Sequence, residues 1–382
     1  AEEMQQCYQC STCSVVCPIS PDVNPFPRKE MIWAQWGLKD KLMGDPDIWL
    51  CHNCNDCSLH CPRGARPGDL ISAIRNYFYK ANAVPAFMGE WMSSPKYLPL
   101  LIAIPAVLIL IFMGLNGTLG AFPEGEIIYK KMMPALTLID PIFVGATLFI
   151  FISMGISVSR FWEKLEENAP KAPGKGMAVG PAIIATIQEI LSHSQFDECG
   201  QSKERTNSHK LLIYSFIALA VVTAIVAFGE WTEILHEYAG IHSIPVLHFI
   251  ITPLALYNPV KILANIGAVV LVYAIWTAIQ NRNNDTDGER YGKVTYQDMF
   301  LLYVILVIAL TGIGAEVFRL VGIAPIAYPV YFAHLVAVFM LIAYLPFGKF
   351  AHIVYRTTAI IHSKYTGRYE MTAADFKQEA SA

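Results

Sequence analysis

The sequence predicts a mainly α-helical protein: a small cysteine-rich helical domain followed by a bundle of six membrane-spanning helices. Three observations predict it. Eight of the nine cysteines fall within residues 7–61. The chain is 54% hydrophobic and only 15% charged, where a soluble domain carries about a quarter charged residues. The apolar content is also concentrated between Tyr97 and Tyr355, in six long runs. The net charge of −3, with no basic stripe, argues against nucleic acid as a partner.

The cysteines form a doubled motif. Cys7, Cys10, Cys13 and Cys17 precede Pro18 in CYQCSTCSVVCP, and Cys51, Cys54, Cys57 and Cys61 precede Pro62 in CHNCNDCSLHCP. Both read C-x₂-C-x₂-C-x₃-C-P. Three thiolates at this spacing wrap a short loop around one corner of an iron–sulfur cubane, and the fourth reaches across to the other cluster. The expected [4Fe–4S] sets are therefore Cys7, Cys10, Cys13 with Cys61, and Cys51, Cys54, Cys57 with Cys17. Zinc also uses C-x₂-C pairs, but four ligands per site leave the third cysteine of each run unexplained.

His52 and His60 lie within the second run and are not needed as ligands; they are expected to shape the pocket or to donate to sulfur. Residues 24–46 have helical spacing (Met31, Ile32, Trp36, Leu38, Leu42) and a further helix is expected near 69–79. Residues 1–6 are polar and acidic, without a basic n-region or an apolar h-region. This predicts no signal peptide, and thiols kept reduced in the cytoplasm.

The apolar runs are 98–116, 136–159, 211–229, 259–280, 299–320 and 329–354, each near the ~20 residues that cross a bilayer core. Only helices satisfy their own backbone in lipid at this composition. The resulting division is 1–85 for the cysteine domain, 86–97 as linker, 98–356 for the membrane domain and 357–382 as a cytoplasmic tail. Basic residues gather between spans two and three (Arg160, Lys164, Lys171, Lys175, Lys203, Arg205, Lys210), between four and five, and after span six. The opposite side holds only Lys130, Lys131, Lys261 and Arg319. The positive-inside rule puts both termini in the cytoplasm, in agreement with the thiol argument. The expectation is a multi-pass protein of the cytoplasmic (inner) membrane.

Haem b between helices would carry electrons from the clusters into the bundle. His334 and His352, 18 residues apart on a continuous sixth helix, would point the same way about 27 Å apart. Intramembrane histidines are functional candidates, and His209, at the cytoplasmic end of span three, is expected to pair with His352. For His334 the candidate partners are His248, the most membrane-like, then His236 and His242. His193 is read as structural, and Cys199 as a lone thiol. The spans hold no paired intramembrane carboxylates, with Asp140 near an end and Glu316 standing almost alone, which argues against a transporter.

These residues resemble known families. CYQCSTCSVVCP, NPFPRKE and WLCHNCNDCSLHCPRG resemble the small iron–sulfur subunit of heterodisulfide reductase. The stretch from His209 onward, above all AHLVAVFMLIAYLPFGKFAHIVY, resembles that enzyme's membrane subunit and the gamma chain of respiratory nitrate reductase. The fusion of the two is similar to the membrane-embedded iron–sulfur and cytochrome b component of the quinone-interacting membrane-bound oxidoreductase complex of sulfate reducers. This resemblance implies a cytochrome b bundle with one or two b haems, menaquinone or its quinol as substrate, and flavin- and iron–sulfur-containing partner subunits in the cytoplasm. The resemblance also implies a quinone role for Lys261, in NPVKILANIGA. In the nitrate reductase chain a second haem histidine stands where this sequence has Leu219. Glu230 could take protons from a quinol, although an acidic outer segment with Glu233 and Glu237 is the plainer account. The function expected is an electron-transfer subunit that oxidises quinol near His334 and Lys261; the reverse flow, toward quinone from a hydrogenase or heterodisulfide-type partner, uses the same parts.

Overall fold

A computed structural model describes residues 2–21, 23–120, 122–169, 175–192, 203–239, 249–285, 288 and 291–370. Among them the protein is helical, with no strand. Six helices are long and apolar enough to cross a membrane: Pro95–Leu115, Ala135–Asn168, Asn207–His236, Pro259–Asn284, Tyr296–Val321 and Ala324–Ala343. Consecutive spans from the third to the sixth pack against one another, and the sixth also meets the first two. The sixth is the central one, with 44% of its apolar window buried against 11% for the third.

The sixth span ends earlier than hydropathy predicts. It stops at Ala343 and gives way to two tight turns, Leu345–Phe347 and Lys349–Ala351, before a separate helix begins at His352. Pro346 has no N–H to donate to the preceding turn, and Gly348 is extended (φ −136, ψ −169). The continuous 329–354 helix is thus corrected, and with it the argument that places the rings of His334 and His352 on one helix face. His334 lies near the midpoint of its span, ten residues after Ala324 and nine before Ala343.

The cysteine domain does not stand apart from the membrane helices. The second span runs on to Asn168, and Phe161 and Leu165 on its last turns share one buried core with Ile48, Trp49, Ile71, Phe78, Tyr79, Tyr355 and Ala359. Three parts of the chain meet there: the cysteine domain, the second span and the terminal helix His352–Tyr365. Phe78 meets Trp49, Phe161 and Tyr355 at ring separations of 5.1, 5.0 and 4.8 Å, each edge-on. Polar contacts reinforce the joint. Asn82 Nδ2 donates to the Ser157 carbonyl at 2.8 Å, and Ser157 Oγ donates back to the Asn82 carbonyl at 2.9 Å.

The stretch 86–97 is not a bare linker, since Ala86–Met92 is a helix that buries Met88 and Met92. The boundary expected at 356/357 falls inside the terminal helix, where Tyr355, Thr358, Ala359 and Ile360 are all buried. A tail can begin only after that helix.

If the shared core holds the cysteine domain on the membrane helices, Trp49→Ala should lower stability by about 3–5 kcal/mol. Thermal unfolding of the detergent-solubilised protein measures this; Trp36→Ala, at a side chain 71% exposed, should leave the midpoint unchanged.

Candidate redox site

The two cysteine runs fold alike. Gln9 and Ser11 in the first, and Asn53 and Asn55 at the matching positions of the second, have positive φ (61°, 69°, 56° and 71°). Left-handed residues between successive cysteines curl each loop until its thiols face one space, and Asn tolerates that conformation better than most residues. A short helix follows each loop, Thr12–Val15 and Asp56–Leu59.

Cys7, Cys10, Cys13 and Cys61 line one cavity. Cys17, Cys51, Cys54 and Cys57 line another. The fourth cysteine of each run thus stands with the three of the other. Amide donors point at the sulfurs: Asn53 N–H to Cys51 Sγ at 3.3 Å, Ala65 N–H to Cys61 Sγ at 3.4 Å, and the Gln9 side chain to Cys7 Sγ at 3.4 Å. Burial pushes the Cys13 thiol up to about 11 and the Cys17 thiol to about 12. Such thiols ionise only against a strong positive charge, as iron supplies. Four converging sulfurs with N–H donors fit a cubane cluster in each cavity. His52 lines the second cavity, while His60 is exposed, with its ring Nδ1 2.9 Å from the Asp56 carbonyl.

The histidines divide. His352 opens the terminal helix, with Nδ1 2.6 Å from the Lys349 carbonyl. Burial, with the Lys349 and His209 charges adding to it, pushes the imidazole down to about 3. It is neutral, with Nδ1–H donating to the carbonyl and Nε2 left for a metal, the usual arrangement of a ligating histidine. His209, at the start of the third span, is near enough to repel its protonated form. Both are imidazoles, the donor type that can ligate haem iron.

Asp298 sets the turn that leads into His352. It caps the fifth span by accepting from Thr295 N–H at 2.8 Å and Thr295 Oγ at 2.7 Å, and it also pairs with the Lys349 ammonium. Asp298 is not among the residues that the sequence alone singles out. The Thr-x-x-Asp cap signal at 295–298 is legible in a sequence, but its partner across the break at Gly348 is not.

His334 turns its Nδ1 to the fifth span, 3.1 Å from both the Ile308 carbonyl and Thr311 Oγ1. Gly312 makes room, since a Cβ there would come within 3.1 Å of the ring. Tyr331 lies flat beside the ring at 6.5 Å and stacks on Tyr129 at 4.2 Å. His236 is exposed. His248, His242, His193 and Cys199 lie outside the described residues. Leu219 is an apolar contact, packed against Gly267 of the fourth span.

Glu316 does not stand alone. Lys261 on the fourth span pairs with it at 2.8 Å, the side chains 21% and 13% exposed, and Asn265 donates to its other oxygen at 3.2 Å. Glu230 accepts from the Thr252 amide at 2.9 Å and lies 3.7 Å from Lys130, which pairs with Glu233 at 2.8 Å. Lys261 and Glu230 are therefore in two separate polar groups.

Comparison with known proteins matches these two halves. Residues 3–65 match the family model of a 4Fe-4S dicluster domain. Residues 137–374, more than half of the chain, match the model for citrate utilization protein B. The chain belongs to the citrate utilization protein B family. The family's protein from Escherichia coli is 23% identical over 377 residues, covering 94% of this chain and 89% of its own length. A component of the H(2):CoB-CoM heterodisulfide,ferredoxin reductase of Methanothermobacter marburgensis is 36% identical over 81 residues, 21% of this chain. The iron-sulfur component of the CoB–CoM heterodisulfide reductase of Methanopyrus kandleri is 37% identical over 73 residues, 19% of this chain. The match spans 43% and 38% of these two relatives' own lengths. No solved structure matches the chain. This family member thus joins an amino-terminal 4Fe-4S dicluster domain to helices long and apolar enough to cross a membrane.

The Lys261–Glu316 pair gives a test of its own. Removing one partner of a largely buried pair strands the other charge, so Lys261→Met should cost about 3 kcal/mol. The double variant Lys261→Met, Glu316→Leu should recover most of this in thermal unfolding in detergent; equal losses in single and double variants would show the two side chains to be uncoupled.

Proposed function

We propose that this protein is the membrane electron-transfer subunit of an oxidoreductase complex, exchanging electrons between a quinol, menaquinol by the resemblance, and cytoplasmic flavin- and iron–sulfur-containing partner subunits. Cys7, Cys10, Cys13 and Cys61 hold one [4Fe–4S] cluster; Cys17, Cys51, Cys54 and Cys57 hold the other. His209 and His352 hold haem b on the cytoplasmic side, and His334 holds a second one or borders the quinone site. Both termini face the cytoplasm. When bound, the clusters and haem supply one-electron carriers between quinone and partner. The observation that carries this reading is the shared core, in which the helix headed by His352 packs into the domain that carries both cysteine cavities.

The chain's own residues have defined tasks in this scheme. The curled loops orient the thiols and aim amide donors at them. The Lys349 carbonyl fixes the tautomer of His352, and Asp298 fixes Lys349. Lys261, held by Glu316, presents a cation where a quinone oxygen could accept a hydrogen bond. Glu230, joined through Lys130 to Glu233, offers carboxylates for the quinol's protons.

The near full-length likeness to citrate utilization protein B favours a second reading of direction. A partner that oxidises a carboxylic acid would deliver electrons toward the quinone rather than draw them from quinol. Midpoint potentials of the bound carriers, set against that of the quinone, separate the two.

Cys61→Ser and Cys17→Ser should each roughly halve iron and acid-labile sulfide, since each removes one ligand from one set. His209→Ala and His352→Ala should each abolish the same b-type absorbance in the dithionite-reduced minus oxidised spectrum. A wild-type spectrum without b-type bands would sink the haem assignment. Lys261→Ala should slow reduction of that absorbance by a menaquinol analogue roughly tenfold, the loss of one charge-assisted hydrogen bond; unchanged kinetics would count against the quinone site.

A further inference from the structure

The loop that begins at Cys51 is held from outside the cysteine domain. Arg356 lies on the terminal helix, one turn after His352. Its Nη1 donates to the carbonyls of Trp49, Leu50 and Cys51 at 3.0, 2.9 and 3.0 Å, and its Nη2 lies 3.5 Å from His52 Nδ1. These carbonyls close the short helix Asp47–Leu50, the end at which unpaired acceptors and negative partial charge collect. Arg75 adds bonds from within the domain, to the Ile48 carbonyl at 2.7 Å and the Cys51 carbonyl at 2.6 Å. Farther along the loop, Asn55 donates to the Gly288 carbonyl at 3.1 Å, beyond the fourth span. The other cavity is lined by Arg28 and Arg63, both from the cysteine domain itself, and Arg63 stacks on the exposed Tyr8 at 4.1 Å.

We infer that Arg356 is a positioning residue for the site on the membrane side: it ties the Cys51–Cys57 loop to the helix headed by His352 and raises the reduction potential of the cluster held by Cys17, Cys51, Cys54 and Cys57. The inference rests on the cluster assignment proposed above. Its physics is electrostatic. Reduction adds one negative charge to a cluster, and a fixed cation that also occupies three nearby carbonyls favours the reduced form; charge and hydrogen bonding near the sulfurs are what tune such potentials. Because Arg356 and His352 share one helical turn, the same contact keeps this cavity, rather than the other, beside the proposed haem ligand.

The test is a redox titration of the full chain in detergent, followed by electron paramagnetic resonance. Arg356→Gln should shift one of the two cluster midpoints to lower potential and leave the other in place, with iron content unchanged. In a Cys61→Ser background, which keeps only the second cysteine set intact, the shifted signal should be the one that remains. Arg356→Lys keeps the charge but not the three-carbonyl contact and should restore part of the shift; it also decides the matter if the glutamine variant does not fold. Arg63→Gln, at an exposed side chain, should move only the other midpoint. Midpoints that both move equally with Arg356→Gln, or that both stay, would overturn the inference. A wild-type chain without two cluster signals would overturn the cluster assignment and this inference with it.

Discussion

The packing of four aromatic rings, Trp49, Phe78, Phe161 and Tyr355, is the constraint on which the rest of the molecule depends. Each comes from a different part of the chain: the cysteine loops, the helix that follows them, the far end of the second span, and the terminal helix. Their contacts are edge-on or tilted, with centroids 4.8–6.1 Å apart. Such pairs add roughly 0.5–1.5 kcal/mol each beyond the area they bury. A cysteine domain joined to a membrane bundle only by a linker would sample many orientations. Here the core removes that freedom, so the distance between the cysteine cavities and His352 is set by packing and not by chain length.

A second device closes the same joint. Lys29 lies 3.1, 2.9 and 2.5 Å from carboxylate oxygens of Glu30, Asp45 and Asp47, and Arg368 pairs with Asp47 from beyond the terminal helix. All five are buried. Three acids against two bases would leave a net negative charge in a dry place; burial raises Glu30 and so favours its neutral form. Three clustered carboxylates could hold a metal ion, but here the Lys29 ammonium already sits among them. The group binds residues 29–47 to residue 368, and so closes the chain around the cysteine domain.

Much of this is legible in the sequence, for identifiable reasons. Cysteine spacing is local: the chain between thiols is too short to do anything but curl, and the cross-pairing follows from the repeat. Span number and type follow from hydropathy, because lipid leaves the backbone one solution. The break at residues 344–351 is harder to see, because Leu345, Pro346 and Phe347 remain apolar and hydropathy runs straight through them. Proline alone does not decide such a case: Pro105 and Pro329 sit inside spans that continue. The domain boundaries are hidden for a related reason. Residues 357–365 lack the hydropathy of a span and read as tail, but their apolar side chains point to a core whose other half lies more than 270 residues earlier. The Lys261–Glu316 pair is likewise beyond reach, since neither residue announces its partner 55 positions away.

The helix break also changes what the two histidines can do. On one straight helix, His334 and His352 would mark the two leaflets and their separation would be fixed by helical rise. With the break, His334 belongs to the middle of the most buried span, held by the Ile308 carbonyl and Thr311, while His352 begins a helix that belongs as much to the cysteine domain as to the bundle. Gly348 and Pro346 let the chain turn after the sixth span, and Asp298 and Lys349 fix the turn. Residues 352–356 then carry, within a single helical turn, a histidine held by the Lys349 carbonyl and an arginine directed at the Cys51 loop. The second span's length has the same logic: Phe161 and Leu165 pack into one core with Tyr355 and Ala359 and so brace the terminal helix from the other side.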